Sequence, residues 1–158
     1  MTGGGAFLET SDASVVTVRY FVAEWTLEDA TALQAKWLDP SAQPLWEAYA
    51  LLIAVHTWHG LLGGRRGRLR LRGDAKGVLQ AVVRRRAHHA ALNRIVAELL
   101  LILGRTMHDI EAAHFWSELN ADADALSRVH EGARVPQRLA QTGICDAPVR
   151  RRPWRILG

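Results

Sequence analysis

The order of strand-like and helix-like stretches predicts a mixed α/β fold, with a sheet layered against helices. Three observations carry this. Residues 15–25, VVTVRYFVAEW, are rich in β-branched and aromatic side chains and bounded by polar ones, which is a strand pattern. Residues 67–73, GRLRLRG, alternate leucine with arginine at period two, a strand with one buried face. Between and after these lie segments whose apolar residues recur at helical spacing, most strongly over residues 88–103.

Taken in order, residues 1–5 are glycine-rich and are expected to fray. Residues 7–12 predict a short strand ending at Asp12, followed by the strand at 15–25. Thr26-Leu-Glu-Asp29 is a capping box and opens a helix expected to reach Leu38. The proline-containing stretch from Asp39 to Pro44 breaks the chain, and a second helix is expected from about Pro44 to Trp58, closed by Gly60, Gly63 and Gly64. After the 67–73 strand come helices at 75–86 and 88–103, a strand within 105–116, and a last helix over 119–129. From His130 the composition changes to prolines, glycines and a basic run at 150–152. The expected organisation is therefore one domain over 1–129 and a basic, proline-containing tail over 130–158, docked through Trp154 and Ile156.

A chain of 158 residues, 49% of them hydrophobic, suits a single core and excludes a disordered protein. The apolar run over 48–55 is too short to span a bilayer, and the N-terminus has no basic start or long apolar segment of a secretory signal. Cys145 is the only cysteine, which excludes a disulfide framework and a cysteine-based zinc site. An intracellular location, nucleus or cytoplasm, without membrane association, is the default expectation.

Charge is more informative. The chain has 18 arginines and 2 lysines. Between Gly60 and Ala90 the cations are Arg65, Arg66, Arg68, Arg70, Arg72, Lys76, Arg84, Arg85 and Arg86, and Asp74 is the only acid. Such a patch attracts phosphate backbones, and arginine can fork onto a phosphate. Arginine enrichment from coding bias accounts for the number of arginines but not for their clustering around one acid.

Each acid that could carry chemistry also has a plain structural use. Glu47 is the only charged residue in an otherwise apolar helix; it either favours the helix dipole or is a carboxylate aimed at a site. Asp74, between a strand and a helix, suits a plain N-cap, and Asp12, beside Ser11 and Ser14, suits a turn. His114 ends a strand either as an ordinary residue or as a functional one. Clustered carboxylates of this kind, in this order, are what two closely spaced Mg²⁺ ions need for charge compensation, and hard oxygen ligands suit that ion.

Five segments share a pattern with a known family: Ser11-Asp-Ala-Ser14, the stretch from Leu45 to Trp58, Leu71-Arg-Gly-Asp-Ala-Lys-Gly-Val-Leu79, Leu92 to Leu99, and His114 to Arg128 with its Ala-Asp-x-Leu-Ser-Arg frame at Ala123, Asp124, Leu126, Ser127 and Arg128. Over residues 6–129 the chain resembles the RNase H domain that follows the polymerase in retrotransposon reverse transcriptases of the gypsy and DIRS kinds. The resemblance implies a ribonuclease H-like mixed sheet flanked by helices, with an N-terminal meander shortened by one strand. It implies that Asp12 bridges two Mg²⁺ (or Mn²⁺) ions, Glu47 and Asp74 bind the leaving-group metal, and Asp124 holds the metal that activates water. His114 would then help product or metal leave, and Asn120 would support the loop and the nucleic acid. Asp122 competes with Asp124 for the fourth position, and the Ala-Asp-x-Leu-Ser-Arg frame selects Asp124. The implied reaction is cleavage of the RNA strand of an RNA–DNA hybrid, recognised by backbone shape and 2′-hydroxyls, with Arg72, Lys76, Arg84, Arg85 and Arg86 on phosphates and a reverse transcriptase domain as a possible partner. The alternative is a catalytically silent domain of the same fold that binds nucleic acid or a partner. A generic α/β domain whose basic patch only aids solubility is a third expectation.

Overall fold

The structure, a computed structural model, describes residues 3–63, 67–73, 75–105, 108–114 and 120–150. The chain opens with two ten-residue strands, β1 (Gly3–Asp12) and β2 (Val15–Glu24), paired antiparallel from Gly3↔Glu24 to Asp12↔Val15 without a bulge. Ala13 and Ser14 form the two-residue turn, both at positive φ (44° and 74°), the backbone of the hairpin turns whose twist matches the strands. Gly3 to Gly5 are part of β1 and are not frayed. A Cβ at Gly4 would enter the Trp25 ring, and one at Gly5 would lie 2.4 Å from the Leu126 Cβ. The glycines are there for close approach on both faces of the strand.

Helix α1 (Leu27–Leu33) begins at the expected capping box: the Asp29 backbone N–H donates to the Thr26 hydroxyl, and the Asp29 carboxylate accepts from the Thr26 N–H. It ends five residues before Leu38, because Gln34 turns left-handed at φ 54° and its N–H closes on the Ala30 and Thr31 carbonyls. A 3-10 turn at Pro40–Ala42 leads into α2 (Gln43–Leu62), which runs through Gly60 and stops at Gly63. Then follow β3 (Gly67–Gly73), α3 (Lys76–Arg84), α4 (Ala90–Gly104), β4 (His108–His114) and α5 (Ala121–Ser127).

The expected mixed α/β class holds, with antiparallel and parallel strand pairs flanked by helices. Two described strands precede α1. The strands form two separate sheets: β3 and β4 pair in parallel, in register from Gly67↔His108 to Gly73↔His114, while β1 and β2 belong to the other. Alternation assigns the two faces of the hairpin. Phe21, Ala23 and the adjoining Trp25, with Ala6 and Leu8, join the main core against α2; Leu71, Val78, Leu79, Ile95, Leu99 and Leu103 belong to the same core. Tyr20 and its neighbours Phe7, Val18 and Val22 face the other way, onto Leu126 of α5 and Leu139. Trp25 stacks on Trp46 at 5.3 Å and tilts against Tyr49, fixing the end of β2 on the first turns of α2.

The segment beyond His130 folds back onto this body. Helix α6 (Gln137–Thr142) buries Leu139 completely, and β5 (Ile144–Cys145) adds a short parallel strand to the outer edge of β2. Asp146 accepts from Arg19 at 2.8 Å and from the Trp58 indole N–H at 2.9 Å. The Val149 N–H donates to the Thr57 hydroxyl, and Arg150 donates to Asp29 and to the Glu24 carbonyl. Trp154 and Ile156, the expected docking residues, lie outside the described residues.

Candidate nucleic-acid interface and the dispersed acids

Asp12 closes the hairpin and is exposed, as are all residues from Ser11 to Val16. Glu47 sits in the second turn of α2, partly buried, where Gln43 Nε2 donates to its Oε1 at 2.9 Å. Asp124 lies on α5, exposed, with Arg128 Nε donating to its Oδ1 at 3.1 Å, an i,i+4 pair. Its competitor Asp122 is claimed by the fold. Arg138 of α6 donates through Nε to Asp122 and through Nη1 to Glu9 of β1 at 2.8 Å, while its guanidinium lies 5.0 Å from the Phe7 ring centre. The hydrogen bond to Glu9, reinforced by Asp122, raises the affinity of that guanidinium for its proton. Asp122 is thus a latch between α5, α6 and β1. The Asp124 carboxylate, by contrast, makes only its exposed pair with Arg128 among the described residues.

Asp12 and Asp124 are held apart. Leu126 rests on Gly5, and Arg138 bridges Asp122 to Glu9, so α5 lies across β1 between Gly5 and Glu9, with Asp124 between these two points. Asp12 stands at the turn, three residues beyond Glu9, roughly 10 Å further along the strand. Asp12 and Asp124 are therefore at different levels of the hairpin. They also belong to opposite faces: Asp12 follows Ala6 and Leu8 in the alternation that faces α2, whereas α5 covers the face of Gly3, Gly5 and Phe7. Two metals about 3.5–4 Å apart need all their carboxylates within a few ångströms. Asp12 therefore does not fit the bridging role that the resemblance implies for it. Among the described residues no three of histidine, cysteine, aspartate and glutamate come together as a metal-binding group. Asp74, the fourth implied ligand, lies outside the described residues. The donor set that is described does not fit a two-metal centre, and no hydrolytic step is derived through one. His114 ends β4 and is exposed; Asn120 stands at the N-cap of α5 without a side-chain cap bond.

Of the expected phosphate-binding residues, Arg84, Arg85 and Arg86 share one turn, while Arg72 and Lys76 lie at the other end of α3. Arg72 is exposed on β3, Lys76 opens α3, and Arg84 closes it. Arg85 caps the helix in the left-handed conformation at φ 58°, and its N–H and that of Arg86 close on the carbonyls of Val82 and Ala81. The Asn93 side chain accepts the Ala87 N–H at 2.9 Å, which pins the connection between α3 and α4. Arg84, Arg85, Arg86, His88, His89 and Arg94 are all exposed on or beside this pinned turn, and residues 75–97 contain no acid. None of Lys76, Arg84, Arg85, Arg86 and Arg94 makes an ion pair among the described residues. Arg68 and Arg70, by contrast, share Glu111 across the β3–β4 ladder at 3.9 and 3.2 Å. Arg94 was missed by sequence reasoning that stopped at Ala90; the acid-free run to Ala97 is the signal that finds it. Arg65 and Arg66 lie outside the described residues.

The fold and this surface define a mixed α/β protein with a cationic turn pinned by Asn93 and, among the described residues, no metal-binding group of acids and histidines. No family model, no curated protein and no solved structure matches the chain. Among the described residues no helix is long and apolar enough to cross a membrane.

Proposed function

We propose that this chain is an RNase H-like domain that binds the phosphate backbone of nucleic acid through the α3–α4 turn and does not itself hydrolyse it. The observation that carries the binding half is the pinned, acid-free cluster of Arg84, Arg85, Arg86 and Arg94. Guanidinium groups on a rigid turn lose little freedom when they fork onto phosphates, and without neighbouring acids they are not competed for. The geometry that carries the silent half is the separation of Asp12 from Asp124. Backbone contacts of this kind read shape and charge, so an RNA–DNA hybrid and other duplexes are bound with little base preference.

Fluorescence anisotropy with a labelled RNA–DNA hybrid tests binding. Affinity is expected to fall with salt, with a log–log slope of about 0.9 per phosphate contacted. Reversing Arg84, Arg85 and Arg86 to glutamate is expected to remove most of the affinity and flatten that slope. An unchanged affinity in that variant, or binding without salt dependence, contradicts the proposal. The reading of an active ribonuclease, which the resemblance also implies, would require Asp12 to reach α5.

A further inference from the structure

Among the described residues, β1 and β3 are each hydrogen-bonded on one side only. The outer edge of β2 is taken by β5 and one side of β3 by β4, but no ladder joins β1 to β3. Yet both pieces rest on one core, which Ala6, Leu8 and Phe21 reach from the hairpin and Leu69, Leu71, Ile110 and Ala112 from the parallel pair. Crossovers between parallel strands of one sheet are right-handed, and β3 to β4 is such a parallel pair, joined through α3 and α4. A crossover of the same hand from β2 through α2 to β3, with all three helices on the core side, would put β3 between the hairpin and β4.

The β1 edge is not blunted. β1 is ten residues long, in continuous register, and contains no lysine, arginine or proline, the usual means of blunting an edge. The β3–β4 pair leaves a row of arginines, Arg68, Arg70 and Arg72, on its exposed face, whereas parallel strands normally lie in sheets covered on both sides, and two strands alone are marginal. The turn geometry says which groups of β1 wait for a partner. A two-residue turn makes Asp12 and Val15 a hydrogen-bonded pair, so the ladder to β2 uses Thr10, Leu8 and Ala6. The N–H and C=O groups of Ser11, Glu9, Phe7 and Gly5 then point outward.

We propose that the edges of β1 and β3 form one slot for a single extended strand supplied by another polypeptide, apolar on alternate residues and acidic on the others. A strand satisfies both edges at once; a second copy of the hairpin would pair with β1 only and leave β3 open. The apolar residues continue the row of Leu8 and Leu69 over the core. The intervening residues face the side of Arg68 and Arg70, two arginines that share the single carboxylate of Glu111, so charge complementarity selects acids there. The inference is independent of nucleic-acid binding, and reversal of Arg84, Arg85 and Arg86 is expected to leave it unchanged.

Amide hydrogen exchange with a synthetic peptide of alternating valine and glutamate, roughly seven residues long as strands usually are, tests it. Expected is added protection at Gly5, Phe7 and Glu9 together with the β3 amides not bonded to β4, with a valine–lysine peptide binding about tenfold weaker or less. Glu9→Pro removes an outward N–H and is expected to abolish the protection while Leu8 and Thr10 keep theirs; Glu9→Gln, which keeps the N–H, is expected to bind. Should Leu8 and Thr10 lose protection in Glu9→Pro, Ser11→Pro makes the same test nearer the turn. No added protection, protection of one edge alone, or binding unaffected by either proline overturns the slot.

Discussion

Gly5 shows at the scale of one residue how the chain uses what looks like a weak sequence. Glycine disfavours a strand interior, and a triplet at the start of a chain reads as loose. In the fold the same absence of a side chain lets Leu126 sit directly on β1 and Trp25 close over Gly4. Gly5→Ala places a methyl 2.4 Å from the Leu126 Cβ, and overpacking of this kind is expected to cost about 1–3 kcal/mol, measured by urea unfolding. The same change at Gly77, where nothing stands within 4 Å, is expected to be neutral or stabilising. This could not be read from the sequence, because local propensity carries no information about a helix arriving some 120 residues later. The capping box at Thr26 and Asp29 is the opposite case: both partners lie within three residues, and the expected bonds are the ones found.

Two pairs act at the scale of elements. His56 of α2 and Glu98 of α4 meet at 2.9 Å inside the helical layer, their side chains largely buried, and among the described residues Glu98 Oε2 has no hydrogen-bond partner. His56→Leu alone strands the glutamate and is expected to cost about 3 kcal/mol, while His56→Leu with Glu98→Leu is expected to be close to neutral; chemical denaturation of the two variants checks this. The Tyr49 hydroxyl donates to Asp29 at 3.0 Å and so ties α2 to α1. Burial, then the adjacent Asp29 carboxylate, raises the pKa of that hydroxyl above its ordinary value of 10.0. The folded state therefore holds the proton more tightly than the unfolded chain. This contribution is complete below about pH 10 and is lost as pH rises further. Tyr49→Phe is expected to abolish that alkaline loss and to cost about 1 kcal/mol at neutral pH, read from unfolding curves across pH. The ends of helices were legible only where the stop signal was local. Gln34 ends α1 by a left-handed turn that an ordinary side chain does not announce, and α2 runs through Gly60, its apolar packing outweighing that glycine.

At the scale of the whole molecule, the strand and helix classes of most of the chain were legible because period-two and helical spacings are local. The site was legible only as a list. Asp12, Glu47, Asp74 and Asp124 stand in an order that suggests convergence, but order does not fix which face or which end of a strand a residue occupies. The two-residue turn at Ala13 and Ser14 sends Asp12 to the exposed end of the hairpin, while α5 lies on the other face of β1, between Gly3 and Glu9. The cationic turn needed no long-range placement, since its arginines and the absence of acids are neighbours in the chain. The segment from His130 was read as a tail from its prolines and glycines, which mark turns as well as disorder; here they separate α6 and β5, which dock on β2.

The most direct test of the account is a single incubation of the intact protein with an end-labelled RNA–DNA hybrid in Mg²⁺, followed both by anisotropy and on a denaturing gel. The expected result is salt-sensitive binding, lost when Arg84, Arg85 and Arg86 are reversed to glutamate, with the RNA strand intact. Metal-dependent cleavage that disappears in Asp12→Asn and in Asp124→Asn would contradict it, because it would require the hairpin end and α5 to meet.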